Sequence, residues 1–141
     1  MNIYALAVGI ASAFVVVLLF KAWGLENTKW AYPVLLAEFP VNYWAFAIYG
    51  SDSAALLKEL AVGLAFLAVA YIAYKVKSLV ALLLLSFGYV MHAAYDVSHN
   101  FFFVNAGAPT WWPEFCASVD VLIGAYIAYL AFSFRKKPVV P

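Results

Sequence analysis

Residues 91 to 100 read MHAAYDVSHN and hold both histidines of the chain, His92 and His99, with Asp96 between them. Spacings of i, i+4 and i+7 put the three side chains on one stripe of a helix. Imidazole and carboxylate groups so placed support two kinds of chemistry. They pass protons as an acid/base pair, or they ligate a divalent cation, for which His and Asp suit zinc, iron or manganese. Two more acids have faces that fit the same interior. Asp120 lies on a stripe with Cys116, Gly124, Ala128 and Ala131, and Glu59 shares a face with Gly63 and Phe66. Small residues mark packed interfaces between membrane helices, so Asp120 is expected to face the interior of a bundle. The expected metal set is His92, Asp96, His99 and Asp120, and the expected acid/base set is His92, Asp96, Asp120 and Glu59. No HExxH-like signature narrows the choice.

The elements that carry these residues are set by composition. Of 141 residues 68% are hydrophobic and 11% charged, against about 25% charged in soluble domains. The chain therefore reads as an all-α integral membrane bundle forming one domain over residues 1–141. A net charge of +1 gives no electrostatic footprint for nucleic acid, and the single cysteine excludes an internal disulfide. The first twenty residues lack a basic segment ahead of their apolar core, so they read as a retained span and not as a signal peptide.

A span takes about 20 apolar residues. Such segments fall at about 3–23, 54–74, 79–99 and 113–134, and a fifth at 30–50 is long enough but contains Glu38, Pro40 and Asn42. That fifth segment is expected either to cross as a kinked helix or to be re-entrant. The Lys and Arg distribution favours five spans. With five, Lys21, Lys29, Lys75, Lys77, Arg135, Lys136 and Lys137 share one face and only Lys58 lies opposite. By the positive-inside rule the N-terminus is then outside and the C-terminus cytoplasmic, with a bacterial inner membrane as the expected location. At about 1.5 Å of rise per residue, Glu59, His92, Asp96 and Asp120 share a layer roughly 5 to 12 Å below the outer surface.

Each residue also has a plainer role. His92, Asp96 and His99 would serve equally as a hydrogen-bonded structural knot, and His99 is near enough to the span end to be solvated. Glu59 has Lys58 beside it, Glu114 suits the first turn of a helix, Asp52 suits a cap, and Cys116 suits packing. Tyr43 and Asn42 lie near enough to the outer end to line the same cavity. Glu38 lies deeper, facing the bundle or marking a re-entrant break. Two histidines seven apart on one helix cannot clamp a haem iron from both sides.

The order NYW, GSD, LLKEL, HAAYDVSH and GAPTWWPEFCASVDVLIGAYIAYL, over about residues 30 to 131, resembles a group of small bacterial membrane proteins. These carry a His-x2-aromatic-Asp-x2-His run and a Pro-x-Trp-aromatic-Pro-x-Phe-Cys-x3-Asp motif. The resemblance implies an architecture and no particular activity. A slighter likeness, carried by His92 and Asp96 alone, is to sterol-isomerase-like membrane bundles with a histidine and acids in a lipophilic pocket. Two functions follow as expectations. One is a membrane enzyme, metal-dependent or acid/base, whose lipophilic substrate enters from the bilayer, and this predicts a substrate-sized cavity. The other is a non-enzymatic subunit that holds a lipophilic ligand or joins a homo-oligomer or larger membrane complex. Ion passage is disfavoured, because the inner half of the last three spans has no ionisable residue before Lys75 and Arg135.

Overall fold

A computed structural model describes residues 2–76 and 78–135. Five helices form a bundle: α1 (Ile3–Ala22), α2 (Ala31–Tyr49), α3 (Ser53–Lys75), α4 (Ser78–Phe102) and α5 (Trp112–Arg135), with a 3-10 turn at Leu25–Asn27 and no strand among the described residues. Four of them, α1, α3, α4 and α5, are long and apolar enough to cross a membrane. The protein is accordingly membrane-embedded. Its surface fits that setting, with Leu18, Leu57, Leu64 and Phe132 all more than half exposed where lipid would cover them.

Local chemistry sets the helix ends. Asn2 caps α1, its Oδ1 accepting from the amides of Tyr4 and Ala5, and Gly24 (φ 69°) turns the chain out of it in the left-handed region that glycine enters freely. Asp52 caps α3, accepting from Ala55 N–H at 2.8 Å. Pro33 sits in the first turn of α2, where no amide partner is lost,.

The 30–50 segment, expected to cross as a kinked helix or to be re-entrant, is helical. Ala31–Tyr49 is one unbroken helix through Pro40, and it runs alongside α4 in the same direction. Tyr89 Oη donates to the carbonyl of Tyr32, Tyr43 Oη reaches Asp96, and Gly50 abuts Gly107 beyond the end of α4. Proline removes one amide donor and is tolerated at membrane depth when the backbone around it is covered. Pro40 is buried against the bundle.

Packing follows the order α1–α5–α4–α3–α2, with α2 also touching α4. Small residues allow the close approaches. A side chain at Gly9 would collide with the Phe115 carbonyl and Ser118 Oγ, and Gly124 lets Ser86 Oγ donate to its carbonyl at 3.0 Å. The apolar core is centred on Leu36, Tyr89, Ile123 and Ile127, all fully buried. Above it, toward the end of the bundle carrying Asn2 and Gly50, the interior changes from apolar to polar.

Candidate metal centre

The change occurs along a single stripe of α4. Leu85, Tyr89, His92, Asp96 and His99 are all buried, at spacings of 4, 3, 4 and 3 that keep one face inward. Opposite them, α5 presents Cys116, Asp120, Ile123 and Ile127, and α2 presents Leu36, Phe39, Tyr43 and Ala47. The apolar members of each stripe fix the helix rotation by burial. The polar members are carried inward with them.

His92, Asp96 and Asp120 meet at the centre. His92 Nδ1 lies 2.8 Å from Asp120 Oδ2 and 3.3 Å from Asp96 Oδ2. Tyr43 Oη donates to Asp96 Oδ1 at 2.9 Å. Phe66 and Phe39 wall the imidazole, their ring centroids 4.6 and 5.6 Å from it. All three polar residues are at most 1% exposed. Yet His92 Nε2, Asp96 Oδ2 and Asp120 Oδ1 have no hydrogen-bond partner among the described residues, Asp96 Oδ2 having only the 3.3 Å ion-pair contact with His92. Leaving such atoms bare in a buried site costs roughly 1–3 kcal/mol each.

One nitrogen and two carboxylate oxygens from these residues lie within 4.8 Å of one another, as a metal site requires. Tetrahedral zinc with bonds of about 2.0–2.2 Å holds its ligand atoms roughly 3.3 Å apart. The 3.3 Å separation from Asp96 Oδ2 matches that edge, whereas the 2.8 Å to Asp120 Oδ2 is a hydrogen bond that an ion would have to open by about 0.5 Å,. The arrangement can therefore hold a divalent cation through three side chains. It can also hold a proton, shared by the imidazole and two acids.

His99 and Glu59 are placed apart from this group. His99 Nε2 lies 2.7 Å from Glu59 Oε1, and both Glu59 oxygens are occupied: Asn105 Nδ2 donates to Oε1 at 3.1 Å and Tyr95 Oη to Oε2 at 2.7 Å. Of the four ligands expected from sequence, the metal-capable group thus contains His92, Asp96 and Asp120, while His99 belongs to a second, fully bonded cluster. Glu59 likewise partners His99 and not His92. His99 is 1% exposed and not solvated.

Tyr43 joins the two clusters. Its hydroxyl binds Asp96, its ring stacks on His99 at 4.6 Å, and its backbone carbonyl accepts from Asn105 Nδ2 at 3.0 Å. Asn105 carried no signal in the sequence. Its loop folds back because Gly107 lets the chain pass against the Phe46 carbonyl. Asn42 does not join the site, because its amide donates to Glu38 on the exposed side of α2. Asp52 is a cap, and Glu114, in the first turn of α5, accepts from the Asn2 amide at 3.1 Å.

A groove of about 580 Å³ runs between α1, α4 and α5. Leu6, Ile10, Val97, Val121 and Leu122 form apolar walls, Asn100, Thr110, Glu114 and Ser118 add polar groups, and Asp96 lies at its inner edge. Comparison with protein families, curated proteins and solved structures finds no match.

Proposed function

We propose that this protein is a membrane enzyme that uses a divalent metal, held by His92, Asp96 and Asp120, on a lipophilic substrate entering from the bilayer. The observation that carries the reading is the trio itself: three converging donor residues, fully buried, with bare polar atoms. Ionisable groups inside a membrane are costly and mark function by default. The groove adds support, since it is large enough for a lipid chain and Asp96 lies along its lining.

In this reading His92, Asp96 and Asp120 would hold the ion, which would supply Lewis-acid chemistry when bound,. Tyr43 fixes the rotation of the Asp96 carboxylate by donating to Oδ1, and so would orient Asp96 toward an ion. Such outer partners orient ligands in metal sites generally. The apolar groove walls take the substrate chain and exclude water, and Asn100, Thr110 and Ser118 meet its polar end. With the lysine-bearing ends of the helices cytoplasmic, the site lies in the outer half of the bilayer.

The test is elemental analysis of detergent-purified protein, wild type beside His92→Ala, Asp120→Ala and the closer-fitting Asp120→Asn. Near-stoichiometric zinc, iron or manganese in the wild type, lost in all three variants, is the expected result. Folded wild-type protein without metal, including after incubation with each ion, overturns the metal form. The groove favours a second reading, a non-catalytic carrier of a lipophilic ligand, which predicts stoichiometric co-purified lipid and no metal.

A further inference from the structure

Glu38 occupies an unusual place. It is the eighth of nineteen residues in α2, about 3 Å from the helix midpoint at a rise of 1.5 Å per residue,. It is exposed, on the side of α2 away from the bundle. Asn42, one turn on, donates from Nδ2 to Glu38 Oε1 at 2.8 Å. No described residue bonds Oε2. A carboxyl group at this depth facing lipid costs several kcal/mol, and such residues in membrane helices almost always turn toward protein or water. The bundle itself has turned Glu38 away, so another chain is expected to cover it.

The face around Glu38 indicates what covers it. Val34, Glu38, Val41, Ala45 and Ile48 are all exposed and follow one another at spacings of 4, 3, 4 and 3. That is the repeat with which two helices wind around each other, and a single polar residue in such a seam fixes register and partner number. α2 packs mainly against α3 and more lightly against α4, and it meets α1 and α5 through ring contacts of Tyr32 and Phe46 on its inner face, so the Glu38 side stays open. Ala45 permits close approach of the backbones, as small residues do at membrane helix contacts.

We propose that α2 pairs with α2 of a second copy of this chain, as a parallel two-fold dimer with Glu38 against Glu38 at its centre. Copies inserted in the same orientation hold Glu38 at the same depth, so symmetry supplies each buried carboxyl with a polar partner at its own level. Asn42 satisfies Oε1 of each, leaving the two Oε2 atoms to share a proton across the axis, as close carboxyl pairs do. A different membrane protein with a basic helix is the competing occupant. It would have to place its cation at this depth without the help of symmetry.

The experiment uses single cysteines in a Cys116→Ala background, oxidised in native membranes and in liposomes reconstituted with the purified full chain. Val41→Cys and Ile48→Cys should give disulfide-linked dimers, whereas Leu57→Cys and Leu64→Cys on the exposed side of α3 should not. Adding Glu38→Leu should weaken dimerisation by roughly tenfold, and Glu38→Gln, which still hydrogen-bonds, should largely preserve it. A monomer in liposomes overturns the proposal, as does equal cross-linking on α3. A dimer indifferent to Glu38→Leu overturns the role given to the carboxyl.

Discussion

Tyr43→Phe removes one oxygen from the interior and tests whether Asp96 is a ligand. The ring stays, so its stacking on His99 at 4.6 Å and its edge contact with Tyr95 at 5.9 Å are kept. What is lost is the donor to Asp96 Oδ1, which leaves this carboxylate, 1% exposed, with the 3.3 Å contact from His92 among the described residues. A hydrogen bond to a charged group is worth about 1.5–3 kcal/mol. Loss of an outer partner weakens metal sites by about 10- to 100-fold, which is about 1.4–2.8 kcal/mol at 1.4 kcal/mol per decade. The two estimates agree in size, so affinity should fall by that factor. The assay is zinc affinity by chelator competition in detergent, with Tyr95→Phe measured alongside. Tyr95 makes an equally short bond, 2.7 Å to Glu59, but in the other cluster. Its variant should lose stability in thermal unfolding and keep its zinc affinity. Equal loss of affinity in both variants, or none in Tyr43→Phe, would refute the assignment of Asp96 as a ligand oriented by Tyr43.

His99→Leu leaves Glu59 buried without its imidazole partner. Tyr95 and Asn105 still bond it, so the destabilisation should fall near the lower end of the range for broken buried pairs, about 3 kcal/mol. Chemical denaturation in mixed micelles measures this, and metal content should not change. Val121→Trp places a large ring on a groove wall that is 50% exposed. Lipid retained per protein, measured by mass spectrometry, should fall while metal content and unfolding midpoint stay near wild type.

The sequence by itself determined that this is a membrane helical bundle, because the hydrocarbon core imposes a length and an apolarity that can be read along the chain without tertiary information. It also pointed to the interior residues. His92, Asp96 and His99 fall in register with Leu85 and Tyr89 on one helical stripe, and Asp120 with Cys116. Periodicity is local, so it is legible.

Which of these groups touch each other was decided only by the tertiary structure. Depth along the membrane put Glu59, Asp96 and Asp120 in one layer with His92, and left His99 nearer the surface. His92 and His99 lie two turns apart on one stripe of α4, and Asp120 of α5 meets the deeper His92 while Glu59 of α3 meets His99 near the helix end. Glu38 shows the same limit. Its depth was evident from its position in the segment, but its direction depends on the rotation of α2, fixed by Tyr32, Leu36, Phe39 and Tyr43 packing inward. Asn105 entered the site through a glycine contact between residues far apart in the chain. The angular order of helices about an axis arises from pairwise packing of whole faces, and no single stretch of sequence carries it.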